Sequence, residues 1–407
     1  MWPMTSGGKQ YDLTIYGATG FTGRLAARYV ARTYGTSIRW AVAGRSKGKL
    51  EKLQSELGGA PAVVVADGDD MAALKEMVSV TSAVAACAGP FARYGSKLVA
   101  ACAELGTDYA DITGESDWVR EMITAYDDAA RASGARIVHF CGHDCVPWDL
   151  STLMLARRIE SKGDALKKVE FYDELRSLPS GGTLETAFGI LAGRARAKTA
   201  FDPLLRHEGA KATHKTIARN VNALDFSSKG PFAARSFFFM AGVNANCVKR
   251  SNALLGYGDL TYSEGLAFAS KFAALANFLQ VAVFSMLALL PPTRFLLRKF
   301  VLPKPGEGPS DEFMASGYLR VTGVAVGQRG TTAKSLMTFS VDPGYLDTAR
   351  LVVESALALS LDAEKLKHVP GGVYTPAACQ GTVLLDRICK TGTTFTFLDE
   401  GEGEAKL

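Results

Sequence analysis

Seven residues, Gly17-Ala18-Thr19-Gly20-Phe21-Thr22-Gly23, follow the strand-like DLTIY and precede the helix-forming stretch from Arg24 to Tyr34. Glycines at this spacing between a strand and a helix let backbone N–H groups and the positive helix end approach a diphosphate that side chains would obstruct. Gly17, Thr19, Gly20, Phe21, Thr22 and Gly23 are therefore the predicted pyrophosphate cradle of a dinucleotide. The next strand ends Ala43-Gly44-Arg45-Ser46. That places a guanidinium and a hydroxyl where NAD-binding chains commonly carry an acidic residue, so NADP is predicted in preference to NAD. Asp67, closing the third strand, is placed to accept from the adenine amino group. The small turn Cys87-Ala88-Gly89-Pro90 after the fourth gives the nicotinamide half a close backbone surface, with Cys87, Gly89 and Pro90 as contacts.

Hydride transfer also needs a group that quenches developing negative charge, and such a group must lie near strands four to six. Four residues qualify as candidates: Tyr94, Asp111, Glu115 and His143. Each has a structural reading beside the catalytic one. A tyrosine opening a helix packs, Asp111 caps, Glu115 is solvated, and a lone histidine is buried and satisfied. His139, His143 and Cys145 have no further partner at metal-ligand spacing, so no metal site is predicted.

The elements that must position these groups are legible as an alternation. YDLTIYG, SIRWAVAG, APAVVVAD, TSAVAACAG, TDYADIT and ARIVHFCG are strand-like, with helical patterns between them. Six strands joined by helical crossovers predict an α/β fold, an N-terminal Rossmann doubly wound parallel sheet over residues 1–146 that binds its ligand at the strand C-terminal ends. Past Pro147 the pattern changes to a helix, the strand-like KKVEFYDEL, and the Gly-rich Ser180-Gly181-Gly182 turn opening another helical stretch. A second α+β domain is predicted over 147–407, carrying a hydrophobic membrane-contacting segment. No element is assigned between 198 and 256, where periodicity is poor. The runs YLRVTGVAVG and AKSLMTFS and a helix from Tyr345 to Leu359 are assigned to this second domain, and the polar tail EGEGEAKL is predicted to fray.

Composition narrows the function classes. The 407 residues suit two domains, and 47% apolar with 21% charged residues is a globular mixture. A net charge of +5, from 46 basic and 41 acidic residues without basic runs, does not predict a nucleic-acid partner. The seven scattered cysteines read as thiols in a reducing compartment. The start MWPMTSGGKQ lacks a basic region followed by an apolar core, so no signal peptide is predicted. Residues 272–290 carry no charge, and Arg294, Arg298, Lys299 and Lys304 follow among Phe295, Leu296, Leu297 and Phe300. Three readings stay open for this stretch: interfacial contact with a membrane, a complete span, and a buried core or dimer helix.

At these residues the sequence resembles the saccharopine dehydrogenase-like oxidoreductases, and more closely the branch of mycobacterial trans-acting enoyl reductases and the animal lipid-droplet homologue. YGATGFTGR, WAVAGRS, CAGPFARYG, DYADITGE, CGHDCVPWDL, SGGT, the apolar segment leading into PKPGEGPS, and PGGVYTPAA carry the likeness over most of the chain. One departure is His143, which stands where the family pattern has an aromatic residue. The resemblance implies an NADP-dependent reductase of a lipid-linked, enoyl-type substrate in lipid or glycolipid metabolism. It also implies association with a membrane or lipid droplet, in agreement with the separate reading of 272–304, whose basic cluster suits the cytosolic face. A nonenzymatic nucleotide-binding droplet protein and a soluble amino-acid dehydrogenase, with the apolar segment at the core of a homodimer, are the competing readings.

Overall fold

The computed structural model describes residues 8–178, 214–226, 232–301 and 308–398. They divide into two compact units. The first takes in the chain up to Val146 together with Gly344–Thr391; the second takes in the described residues from Pro147 to Pro343 and those from Gly392 on.

In the first unit six strands alternate with helices: β1 (Tyr11–Tyr16), α1 (Phe21–Thr33), β2 (Trp40–Gly44), α2 (Lys47–Glu56), β3 (Ala62–Val65), α3 (Met71–Ser79), β4 (Thr81–Ala86), α4 (Phe91–Tyr94), α5 (Ser96–Leu105), β5 (Asp108–Asp111), α6 (Ser116–Ser133) and β6 (Arg136–Val138). All pair in parallel, in the order β6-β5-β4-β1-β2-β3. Leu13, Ile15, Val42 and Val84 are wholly buried, as central parallel strands covered on both faces require. Thr14 on β1 and Thr81 on β4 satisfy each other through a 2.7 Å hydroxyl pair inside this apolar layer.

The division at residue 146 needs correction. After residue 344 the chain returns to the first unit, where the helix Thr348–Leu361 packs on β1, β4, β5 and α1, and a short strand, Gly372–Tyr374, adds in parallel beyond β6. The reason is physical: the helix is buried along nearly its whole length, Arg350 and Glu354 included, so it needs cover on every side. Glu354 receives the hydroxyls of Tyr29 in α1 (2.6 Å) and of Tyr34 just past it (2.7 Å), and Nε–H of Arg387 (2.9 Å) from a later helix, Gly381–Lys390.

The second unit opens with α7 (Val146–Ser161) and is built on a mixed sheet. Its strands include Leu166–Arg176, Leu260–Phe268, Tyr318–Gly327, Thr332–Phe339 and Thr393–Phe397, with parallel pairing between the first two and antiparallel pairing outward from there. α7 lies on this sheet: a Cβ at Gly323 would stand 2.8 Å from Leu155 and 3.0 Å from Phe171. Trp148 donates its indole N–H to the buried Asp173 (3.1 Å). The stretch where no element was assigned contains short strands at Thr216–Ala218, Leu224–Asp225 and Ala234–Ser236 and a helix at Ala241–Leu255. Ser180-Gly181-Gly182, Lys304 and the C-terminal tail lie outside the described residues.

The apolar segment is a helix, Lys271–Leu289, capped by Ser270, whose hydroxyl accepts the N–H of Ala273 (3.1 Å). Only Ala274 and Ala288 are buried in it, so among the described residues it is not a core helix. Phe272, Leu275, Leu279, Val283, Met286 and Leu290 are all exposed, and their spacing of three and four residues aligns them along one face. A second short helix, Pro291–Leu296, and a π-helical turn, Leu297–Val301, extend it. There Phe295 and Phe300 are exposed and Lys299 sits over both rings, at 5.6 and 5.2 Å.

Candidate active site

The sheet of the first unit presents its C-terminal edge as a row of turns. Between β1 and α1, Gly17 adopts φ +78°, and a Cβ on it would stand 2.8 Å from the Cβ of Ala88 in the turn after β4. The two turns therefore press together, and the N–H of Cys87 donates to Tyr16 O at 2.9 Å. A Cβ on Gly23 would lie 2.2 Å from Gly17 O, so this glycine lets α1 close onto its own loop. Gly20 is different: it is exposed, and a Cβ there would meet only Gly17 O, at 3.3 Å. No side chain caps α1, and its first turn holds no acidic residue. Two glycines thus serve the tight turn, and the third keeps an anion approach clear at a positive helix end. This fits a dinucleotide pyrophosphate. Thr19 and Thr22 flank the opening half-buried, while the ring of Phe21 is engaged edge-on by Tyr345 at 5.2 Å.

Arg45 is exposed at the end of β2 with no hydrogen-bonded partner among the described residues. Ser46 is the N-cap of α2, yet its hydroxyl makes no capping bond and remains free to donate. Asp67 is exposed after β3; one oxygen closes its own turn by accepting the N–H of Asp69 at 3.0 Å, which leaves the other for a ligand. Tyr16, which the motif reading passed over, lies among these residues. Burial first, and then the charges of Asp67 and Asp69, push its phenol up to about 12, with Arg45 pulling the other way. Its place as the residue before Gly17 was the available signal.

At the next turn Gly89 and Pro90 are exposed and joined by a cis peptide bond. Cys87 is half-buried, and burial first and then the charge of Asp111 push its thiol up to about 12, which disfavours the thiolate. Tyr94 is half-buried with Arg93 over its ring at 5.0 Å. Its carbonyl lies 3.7 Å from where a Cβ on Gly68 would be, and Lys97 donates to Asp69 O at 2.7 Å. Tyr94 thus borders the Asp67–Asp69 turn.

The two acidic candidates are occupied. Asp111 is buried; Oδ2 accepts from Tyr109 (3.0 Å) and pairs with Nδ1 of His139 (2.7 Å), while Oδ1 accepts the N–H groups of Thr113 (3.1 Å) and Phe140 (3.3 Å). It ties the ends of β5 and β6 together. Glu115 accepts the N–H of Phe91 (2.7 Å) on one oxygen and of Ala92 (3.0 Å) on the other. Burial raises its carboxyl above the ordinary range, against those two bonds. His143 is buried, with its backbone N–H on Thr348 Oγ1 (3.1 Å) and its ring Nδ1 3.5 Å from Asp144. Its loop is bracketed by Phe140 (φ 66°) and Cys145 (φ 102°), two non-glycine residues in left-handed backbone.

Comparison with known proteins identifies what this edge belongs to. Residues 13–138 match the family described as saccharopine dehydrogenase NADP binding domain. The trans-acting enoyl reductase of Mycobacterium ulcerans is 35% identical over 96% of this chain and 98% of its own length. That of Mycobacterium bovis is 33% identical over the same shares. A Mycobacterium tuberculosis protein provisionally carrying the same name reaches 36%, again over 96% and 98%. The chain belongs to the trans-acting enoyl reductase family.

This member of the family is an oxidoreductase with an NADP-binding domain. Its fold extends to saccharopine dehydrogenase (L-Glu forming) of Saccharomyces cerevisiae, which aligns over 95% of this chain and 99% of its own with a TM-score of 0.52. At 13% identity that likeness is one of fold and carries no substrate with it.

Proposed function

We propose that this reductase-family chain reduces the conjugated carbon–carbon double bond of a lipid-like acyl substrate while resting on the cytosolic side of a membrane or lipid droplet. NADPH supplies a hydride to the β carbon, and a proton adds to the α carbon. In this reading Gly17, Gly20 and Gly23 seat the pyrophosphate, with Thr19, Phe21 and Thr22 around it. Arg45 and Ser46 hold the 2′-phosphate, Asp67 and Tyr94 flank the adenosine, and Cys87, Gly89 and Pro90 face the nicotinamide. The relatives' name supports the enoyl chemistry.

The observation that carries the lipid-surface reading is the Lys271–Leu289 helix. An uninterrupted apolar face in water is unfavourable, at about 1.5–3 kcal/mol for each large side chain left unburied. Here the exposed face of six residues continues into Phe295 and Phe300 beside Lys299, the arrangement of an interfacial helix with a basic margin for anionic head groups. Flotation with anionic vesicles tests it. The wild type should float, and the triple variant Phe272→Asp, Leu279→Asp, Val283→Asp should stay at the bottom, its partition reduced on the order of 100-fold or more. Flotation unchanged by the substitutions removes the reading. A wild type that stays at the bottom as a dimer, with the triple variant monomeric on gel filtration, assigns the face to a second copy instead.

A further inference from the structure

Pro90 has no N–H, so the first donors after the Gly89–Pro90 turn are those of Phe91 and Ala92. In α4, a single turn of helix, the N–H groups of Arg93 and Tyr94 return to Pro90 O at 3.2 and 3.1 Å, which leaves the preceding two without a partner inside the turn. Glu115, more than twenty residues on, takes each with its own oxygen, at 2.7 and 3.0 Å. Glu115 is itself fixed: its N–H donates to Thr113 Oγ1 at 3.0 Å, and its carbonyl receives Val119 N at 3.0 Å in the first turn of α6. One turn further along α6, Trp118 packs on Phe91 with ring centroids 5.6 Å apart and donates to Ser96 Oγ at 2.9 Å.

A packed indole alone would hold α4 against α6. The carboxylate adds direction, because two charge-assisted bonds from one planar group fix the orientation of both peptide planes. Gly89 and Pro90, immediately before them, are exposed, and a Cβ on Gly89 would meet nothing nearer than the Phe91 ring at 3.5 Å. An exposed backbone surface has been made rigid from behind.

We infer that Glu115 is a positioning residue for the nicotinamide half of the cofactor, acting through the Gly89–Pro90–Phe91 backbone, and not the proton donor. The inference rests on the cofactor placement proposed above. It predicts a selective effect, since the 2′-phosphate is placed at the end of β2 and the adenosine meets α4 only at its far end, Tyr94, whose N–H is held by Pro90 O and not by Glu115.

The test compares NADPH with 2′-phospho-ADP-ribose, the same molecule without nicotinamide, by calorimetry on the full chain. Glu115→Ala should raise the Kd for NADPH about tenfold or more and leave that for 2′-phospho-ADP-ribose within about twofold. Glu115→Gln, whose amide oxygen retains one of the two N–H bonds, should fall between the wild type and Glu115→Ala. It also serves alone if the alanine variant does not fold. Equal weakening of both ligands would make Glu115 a general structural residue and overturn the inference, as would unchanged NADPH binding. A wild type that binds neither ligand would sink the cofactor placement and this inference with it.

Discussion

Arg45→Ala separates NADP recognition from every other property of the site. Arg45 is exposed and has no hydrogen-bonded partner among the described residues, so its removal should change stability by no more than about 0.5 kcal/mol. In the proposed site, what should be lost is the planar fork on the 2′-phosphate. Hydrogen bonds to a charged group contribute about 1.5–3 kcal/mol, which at about 1.4 kcal/mol per decade is a factor of roughly 10 to 150 in Kd. Lys47 and Lys49 stay nearby, exposed, and retain a screened attraction, which places the expected loss toward the lower end. NADH lacks the phosphate and should bind the variant within about twofold of the wild type. Titration of nicotinamide fluorescence with both cofactors, at a fixed ionic strength of about 0.15 M, reads the two constants directly. Loss of NADPH and NADH in equal measure would show that Arg45 shapes the fold of the turn. No loss for either would put the 2′-phosphate somewhere else.

Other consequences are as specific. Gly20→Ala should unfold in urea like the wild type but lose NADPH affinity at least tenfold, because its methyl enters the anion approach; Gly23→Ala should lose both, with about 1–3 kcal/mol of stability, because its Cβ would meet Gly17 O at 2.2 Å. Asp111→Asn sets an amide N–H₂ against groups that already donate, and should lower the unfolding free energy by about 2–5 kcal/mol; a variant of normal stability that binds NADPH yet turns over nothing would restore Asp111 as a catalytic group. Burial opposes ionisation of Asp362, but bonds from Lys365 and Arg387 (both 2.6 Å) hold its carboxyl below the ordinary value. With the folded value depressed, this contribution is present above the unfolded carboxyl range and is lost as pH falls toward the folded one, so Asp362→Asn should flatten the acid limb of a stability–pH curve. An acid limb identical to the wild type's would refute that assignment.

How far the fold could be read follows from where burial is two-sided. β1, β2 and β4 announce themselves because a parallel strand covered on both faces is mostly apolar, as Ile15, Val42 and Val84 show. The strand Gly372–Tyr374 has no such signature. It is three residues long, Gly372 has φ +147°, and Val373 N–H is taken by the carboxylate of Asp127, a residue of α6. It is a strand only because β6 offers it an edge. The helix Thr348–Leu361 was visible as a helix, but nothing local says to which unit it belongs. That information sits in long-range pairs such as Glu354 with Tyr29 and Tyr34. The helix Ala241–Leu255 escaped for the opposite reason. Asn244 and Asn252 are buried in it and bonded to Glu264 and to Thr216 and Gly258, so polar residues occupy its inner face and blur the apolar period.

The site divides along the same line. Cofactor turns are legible because their function is performed by backbone, and the sequence must then spell out glycine wherever a Cβ would collide, as at Gly17 and Gly23. The carboxylates are not, because Asp and Glu at strand ends have two uses that look identical in one dimension: a free carboxyl facing substrate, or a bound one facing backbone. In the structure Asp111 and Glu115 both face backbone: Asp111 receives the N–H groups of Thr113 in its own loop and of Phe140 in the next, and Glu115 those of Phe91 and Ala92. Their spacing still carried meaning, since Asp111 closes β5 and Glu115 ends the turn after it, and they brace the loops on either side, Asp111 the start of the His143 loop and Glu115 the Gly89–Pro90 turn. A family pattern can therefore hold acidic residues at a catalytic edge for the sake of the loops they fix. A proton donor for this reaction should be sought where a polar hydrogen remains uncommitted, and among the four candidates the half-buried phenol of Tyr94 is the group with no hydrogen bond among the described residues, although its backbone borders the adenosine side. Tyr94→Phe decides between its two roles: turnover lost with NADPH affinity intact makes it the acid, and both left unchanged, with the ring still stacked under Arg93, leaves it a wall of the adenosine pocket.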